Sequence, residues 1–198
     1  MVLGLFRRQN VEPPADAFDP IPEPGVLLPS APGPATIVFY GLTADQRVIG
    51  EIVFAGRLSD ALNQRNPLPI NAVRIAPIDD QAPFVCAPAY KSIDPYGFEL
   101  VVLGPDSLPR FDAEQQIARR IRRASHLVEI NLPPYRVTGT IWLDTGATIE
   151  TLFGRIIKLY LPVTGAQVTI GSRVVDLKGS DAVLVNLLAL RGVKELAD

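Results

Sequence analysis

Hydrophobic and polar positions alternate cleanly in two stretches of the chain. In Arg47–Phe54, "RVIGEIVF", Val48, Gly50, Ile52 and Phe54 fall on one face, and Arg47, Ile49, Glu51 and Val53 on the other. That two-residue period belongs to a strand with one buried face. In Arg136–Leu143, "RVTGTIWL", Val137, Gly139, Ile141 and Leu143 share a face in the same way. Around the first stretch the pattern predicts more strands: "TIVFY" from Thr36, "LPINAVRIAPI" from Leu68, Phe84–Tyr90, and Phe98–Leu103 after the turn Asp94-Pro95-Tyr96-Gly97. Around the second it predicts "HLVEINL", "LYLPVTGAQVTI", a hairpin in "SRVVDLKGSD", and closing strands in "AVLVNLLALRGVKEL".

Helical periods are few. "RLSDALNQ" carries Leu58 and Leu62 at i, i+4, with Ser59 as the expected N-cap and Asp60 placed to complement the dipole. "TIETLF" predicts a matching short turn, with Leu152 and Phe153 apolar. One longer helix is expected between the two groups of strands. Asp112 with Gln115 makes a capping box. Ala113, Ile117, Ile121 and Ala124 lie on one side, and Arg119, Arg120, Arg122 and Arg123 on the other.

The two strand groups align as a degraded repeat. Arg47, Val48, Gly50, Ile52, Leu62, Leu68, Pro69, Ile70 and Ala72 match Arg136, Val137, Gly139, Ile141, Leu152, Leu161, Pro162, Val163 and Ala166. A shared glycine on a core face leaves a gap in the side-chain layer. It suits a bent strand or the close approach of another backbone. Gly50 and Gly139 are therefore expected as folding devices, not ligand sites. The opposite faces differ: Ile49, Glu51 and Val53 against Thr138, Thr140 and Trp142. Specific function is to be sought where the copies diverge.

On these residues the chain resembles a family of small bacterial β-rich domains of uncharacterised function. The first copy carries the pattern through Arg47, Val48, Gly50, Ile52, Arg57, Leu58, Ser59, Asp60, Leu62 and Asn63. The second does so through Pro134, Tyr135, Arg136, Val137, Gly139, Ile141, Leu161, Pro162, Ala166, Val185 and Asn186. The likeness spans residues 36–103 and 127–197 and breaks where Ala147-Thr148-Ile149-Glu150 replaces Arg-Leu-Ser-Asp. It implies a fold and no catalytic residue.

The expected architecture is mainly β, with a minor helical share. Two tandem small β-roll, SH3-like barrel domains each carry one short helix and are joined by an amphipathic helix. The boundaries are 1–34 for a flexible Pro-rich arm, 35–107, 108–125 for the linker helix, and 126–198. The arm, "VEPPADAFDPIPEPGVLLPSAPGP" from Val11, has four acids and no base, so it reads as a semi-extended spacer.

Composition narrows the function. The 198-residue chain has a net charge of −2, far from the basic excess of a nucleic-acid binder. A single cysteine, Cys86, excludes a disulfide framework and a cysteine zinc cage. It is expected as a small buried residue in a reducing compartment. His126 is the only histidine. It leaves no metal pair and no relay, and it is expected as a structural residue at a domain edge. Phosphate-cradling glycine motifs are missing, and Asp79-Asp80 reads as a solvated turn. Neither a catalytic residue, a metal nor a cofactor is expected.

Three partner readings follow. The leading one is a non-enzymatic scaffold that binds a protein partner, for which an exposed strand edge is one recognition mode, with homo-oligomers a further option. The alternative takes Arg119, Arg120, Arg122 and Arg123 as a ligand-binding set. Arg119 and Arg123 have the R-x-x-x-R spacing that precedes the barrel in cyclic-di-GMP-binding PilZ domains. The resemblance implies a cyclic-dinucleotide or phosphate-ligand sensor. It departs at Asp144–Ile149, which lacks the companion serine and final glycine. The third is weak membrane-surface contact through Met1–Arg8, an apolar tip before two arginines. No apolar run reaches the ~18–20 residues of a membrane span. The expected location is cytoplasmic, peripheral to the inner face of the membrane where the tip engages it.

Overall fold

A computed structural model describes residues 34–79, 81–104, 123–150 and 158–196. They belong to one compact unit, Ala31–Asp198. Its elements are β1 (Ala35–Leu42), β2 (Gln46–Phe54), α1 (Leu58–Asn63), β3 (Leu68–Pro69), β4 (Asn71–Pro77), β5 (Val85–Cys86), β6 (Ser92–Ile93), a 3-10 turn (Pro95–Gly97), β7 (Leu100–Val102), β8 (Arg123–Leu132), β9 (Tyr135–Asp144), β10 (Tyr160–Ile170), β11 (Arg173–Val174), β12 (Ala182–Asn186) and β13 (Gly192–Glu195).

The protein is mainly β, as its alternating pattern requires. Eleven strands form one antiparallel sheet in the order β13-β8-β9-β10-β12-β7-β1-β2-β4-β5, with β11 added to β10. β3 and β6 pair separately. The expected closed barrels do not form. β7, the last strand of the first half, uses one side to pair with β1 and the other to pair with β12. With both sides taken, it joins the halves instead of closing one of them.

The joint decides where the cores lie. All three residues of β7 and all five of β12 are buried, the run expected of strands covered on both faces. Their side chains alternate between two clusters. Leu100, Val102, Val183 and Val185 enter one core with Val128, Ile130, Val137 and Ile141 of the second half. Val101, Leu103, Ala182 and Leu184 enter the other with Phe39, Ile52, Leu58 and Leu62 of the first half. Each half thus packs against the opposite face of a shared strand pair.

Polar bonds fasten the joint where apolar packing alone would leave buried carbonyls unpaired. Tyr160 Oη donates to Pro95 O at 2.6 Å, with Phe98 O 3.1 Å away. Asn186 Nδ2 donates to Phe98 O at 2.8 Å. Tyr135 Oη donates to Thr43 O at 2.6 Å. Asn63, at the end of α1, accepts from Tyr160 N at 2.8 Å. The asparagine of "RLSDALN" therefore holds the other half of the chain.

Three ladders of the first half recur residue for residue in the second. Phe39 opposite Gly50 recurs as Val128 opposite Gly139. Leu68–Ile93 and Pro69–Ser92 of β3·β6 recur as Leu161–Val185 and Pro162–Leu184 of β10·β12. Leu42–Leu100 and Gly41–Val101 recur as Asn131–Gly192 and Ile130–Val193. By register β6 corresponds to β12, and β7 to β13.

Helical expectations need two corrections. The N-cap of α1 is Arg57, in extended conformation and without a side-chain cap bond. Ser59 lies inside the first turn with Asp60, whose charge suits the helix N-terminus. Residues 123–125, expected to end the linker helix, are strand: Arg123, Ala124 and Ser125 pair with Asp144, Leu143 and Trp142 of β9. The ladder offers each residue a cross-strand partner that a helix end does not. The rest of that helix, and Leu152 and Phe153, lie outside the described residues.

Candidate functional site

Gly50 and Gly139 do the same physical work. A Cβ on Gly50 would stand 2.6 Å from Ile70 Cδ1 and 2.9 Å from Asn71 O. On Gly139 it would stand 2.7 Å from Val163 Cγ1 and 3.0 Å from Thr164 O. Each glycine lies opposite a bulge in the next strand. Ile49 pairs with Arg74 and Glu51 with Asn71, so Gly50 faces two residues, Ala72 and Val73. Thr138 pairs with Gln167 and Thr140 with Thr164, so Gly139 faces Gly165 and Ala166. The register matches Ala72 with Gly165, which corrects the sequence alignment of Ala72 with Ala166. Both residues are left-handed, at φ +50° and +59°, the conformation that the first residue takes in a G1-type bulge.

At this shared bulge the halves part company. In the second half the bulge is sealed: Ala166 N donates to Asp181 O at 2.6 Å, and β12 continues from there along β10. Trp142 Nε1 closes the outer side with a bond to Thr164 Oγ1 at 3.1 Å. In the first half the corresponding place is a cleft of about 480 Å³ between the β4 bulge and residues 86–91. Asn71, Arg74, Cys86, Tyr90, Lys91 and Glu51 bring its polar groups. Two of these are cations and one is an acid, so the lining favours an acidic visitor. Tyr90 is 41% exposed, enough to offer a ring face.

Cys86 is exposed, contrary to the expected burial. Pro83 and Pro88 confine the predicted Phe84–Tyr90 strand to the two-residue β5 at the sheet edge. Arg47 and Arg136, aligned in sequence, behave differently. Arg47 is buried and donates to Pro77 O, Asp79 O and Ala82 O, with its guanidinium 4.9 Å from the Phe84 ring centre. Arg136 is exposed, with its Nε 3.9 Å from Glu129 Oε1. Arg173 grips the same first-half loop through Asp79 and Ile78 O.

The arginine set is not assembled among the described residues. Arg123 opens β8 and pairs with Asp144 at 3.5 Å, while Arg119, Arg120 and Arg122 lie outside them. Met1–Arg8 also lies outside. His126 sits on β8, with Nδ1 2.7 Å from Glu195 Oε1. That is the opposite end of the sheet from the cleft. Among the described residues no cluster of three His, Cys, Asp or Glu could hold a metal, and no helix is long and apolar enough to cross a membrane.

Comparison with family models, curated proteins and solved structures finds no match. Of the cleft residues, Gly50 and Cys86 were expected in structural roles and Ile49 and Glu51 only as part of a face that differs between the halves; Asn71, Arg74, Tyr90 and Lys91 carry no motif in the sequence. The available signal was divergence at matched positions, Lys91 standing where the second half has Val183.

Proposed function

We propose that the protein is a non-enzymatic interaction protein, built from a duplicated β-roll unit whose copies fused through β7 and β12. The second copy spends its binding edge on the first, and the first keeps its own open for a protein partner. The observation that carries this reading is the cleft beside β6, at a place the second copy seals internally. An exposed strand edge with an adjoining pocket is a recurrent peptide-recognition arrangement.

The test is affinity capture from native lysate with the wild-type chain and a Tyr90→Ala/Lys91→Glu variant of matched thermal stability. A defined protein captured by the first and lost by the second is expected. Equal capture by both would overturn the reading. Calorimetric binding of a cyclic dinucleotide, abolished by Arg119→Ala and Arg123→Ala, would replace it with the sensor alternative.

A further inference from the structure

The joint between β7 and β12 is a template for what the open edge accepts. β12 receives β7 antiparallel, with Val183 opposite Val102, Leu184 opposite Val101 and Val185 opposite Leu100. β12 offers its outer groups at alternate residues: Ala182 O accepts from Leu103 N, and Asn186 N donates to Glu99 O. By the register shared between halves, Lys91, Ser92 and Ile93 stand where Val183, Leu184 and Val185 stand. On the inner side Lys91 O accepts from Ile70 N at 3.1 Å. Alternation in an antiparallel ladder then turns the N–H and C=O of Ser92 outward. Among the described residues β6 pairs only with β3, and both Lys91 and Ser92 are exposed.

We infer that the outer edge of Lys91–Ile93 receives an extended segment of a partner protein as an added antiparallel strand, with an acidic residue opposite Lys91 and apolar residues beside it. This rests on the interaction reading above and names its ligand chemistry. The backbone half of the argument comes from the internal joint. The side-chain half comes from the lysine that replaces Val183, with Arg74 lining the same cleft. Opposite charges facing across a ladder stabilise it and like charges oppose it.

The same rule disfavours a second copy of this chain. The strand equivalent to β7 is β13, and in the template register it would set Lys194 against Lys91 and Gly192 against Ile93. The internal joint has Val102 and Leu100 at those places. A neighbouring copy would exchange two apolar pairs for a lysine clash and a glycine.

The probe is a pair of labelled synthetic peptides copying residues 98–103, one with Val102→Glu and one with Val102→Lys. Binding is read by fluorescence anisotropy. The glutamate peptide is expected to bind roughly three- to tenfold more tightly than the lysine peptide. Lys91→Glu should invert that order. Ser92→Pro removes the outward donor and leaves the inner ladder intact, so at unchanged thermal stability it should abolish binding of both. Equal binding of the two peptides, binding that survives Ser92→Pro, or no binding would each overturn the inference. Self-association in sedimentation that Ser92→Pro removes would also overturn it, in favour of a second copy. Ser92→Pro in the capture experiment keeps the two claims apart. A partner lost with Tyr90→Ala/Lys91→Glu but kept by Ser92→Pro would sink strand addition and leave the interaction reading standing.

Discussion

The second half of the molecule closes its bulge with a bond from Ala166 N to Asp181 O, and the first half leaves a cleft at the same register. The frame around that point is common to both: a core-face glycine, a left-handed bulge residue and a Leu-Pro entry to the next strand. The frame therefore does not decide whether the site is open. The segment returning after the bulge decides it. In the second half that segment is "DAVLVN", apolar enough to be buried on both faces between β10 and β7. In the first it is "AYKSID", which has the residues of a surface. Two halves that share a pairing register can keep the same folding devices and still assign one edge to internal assembly and leave the other outside the main sheet.

The sharpest way to break the comparison is to loosen the joint. Leu184 is fully buried in the core it shares with the first half, opposite Val101. Leu184→Ala should cost about 2–5 kcal/mol. Because the joint belongs to both cores, chemical denaturation should still show one transition, displaced to lower denaturant. Two separate transitions would mean that the halves fold independently and that the joint is only a contact between them.

The glycines should give the next largest effect, and a matched one. Gly50→Ala and Gly139→Ala each push a methyl group to within about 3 Å of a backbone carbonyl oxygen in the neighbouring strand. Each should destabilise by about 1–3 kcal/mol, the usual range for overpacking. Thermal melts of the two variants check this. A tolerated substitution at either site would show that its bulge can move, and the equivalence of the halves would fail there.

The sequence carried the shared features well, because each rests on local rules. Alternation placed β2 and β9, and the gap in the side-chain layer identified Gly50 and Gly139. The Leu-Pro match located the start of β3 and of the equivalent part of β10. What the sequence hid was set by distant neighbours. "AVLVN" reads as a strand, but nothing local says that its second face is covered by a strand from residues 100–102. Asn63 looked like part of a helix motif, yet its bond lies across the joint at Tyr160. Barrel closure failed as an expectation for the same reason. The cleft was legible only as a contrast, Lys91 against Val183, which needs the correct register to be seen. Ala72 was misaligned by one residue because alanine matched alanine, whereas the backbone matches it to Gly165.

That mismatch supplies a smaller test of opposite sign in the two halves. Ala72 holds φ +50° where Gly165 holds φ +59°. A left-handed conformation costs a Cβ-bearing residue roughly 1–2 kcal/mol, and glycine avoids that cost. Ala72→Gly should stabilise the protein by about 1 kcal/mol, reduced by the greater freedom glycine gives the unfolded chain. Gly165→Ala should destabilise it by a similar amount. Denaturant midpoints measure both. The same sign at both sites would mean that the two bulges are not equivalent.

The smallest expected effect comes from Glu99, at the first-half side of the joint, where its backbone carbonyl accepts from Asn186 N. Burial pushes its carboxyl above the usual glutamate range; a backbone hydrogen bond opposes the shift, and the charge of Asp45 adds to it. Its Oε2 is buried without a hydrogen-bond partner. Folding thus favours the protonated form. The resulting stability is fully present below the ordinary glutamate range and is lost as pH rises through the raised value. Glu99→Gln removes the buried charge while keeping the shape. At neutral pH the variant should be the more stable protein, by a small margin because the carboxyl is partly exposed and its charge is screened by solvent. The gap should shrink as pH falls, because wild-type Glu99 then becomes neutral too. Paired thermal melts at neutral and mildly acid pH read the difference directly. An advantage for the variant that grows toward acid pH would mean that Glu99 is held ionised at the joint, and that the shared strands are fastened by a charge instead of by packing and neutral hydrogen bonds.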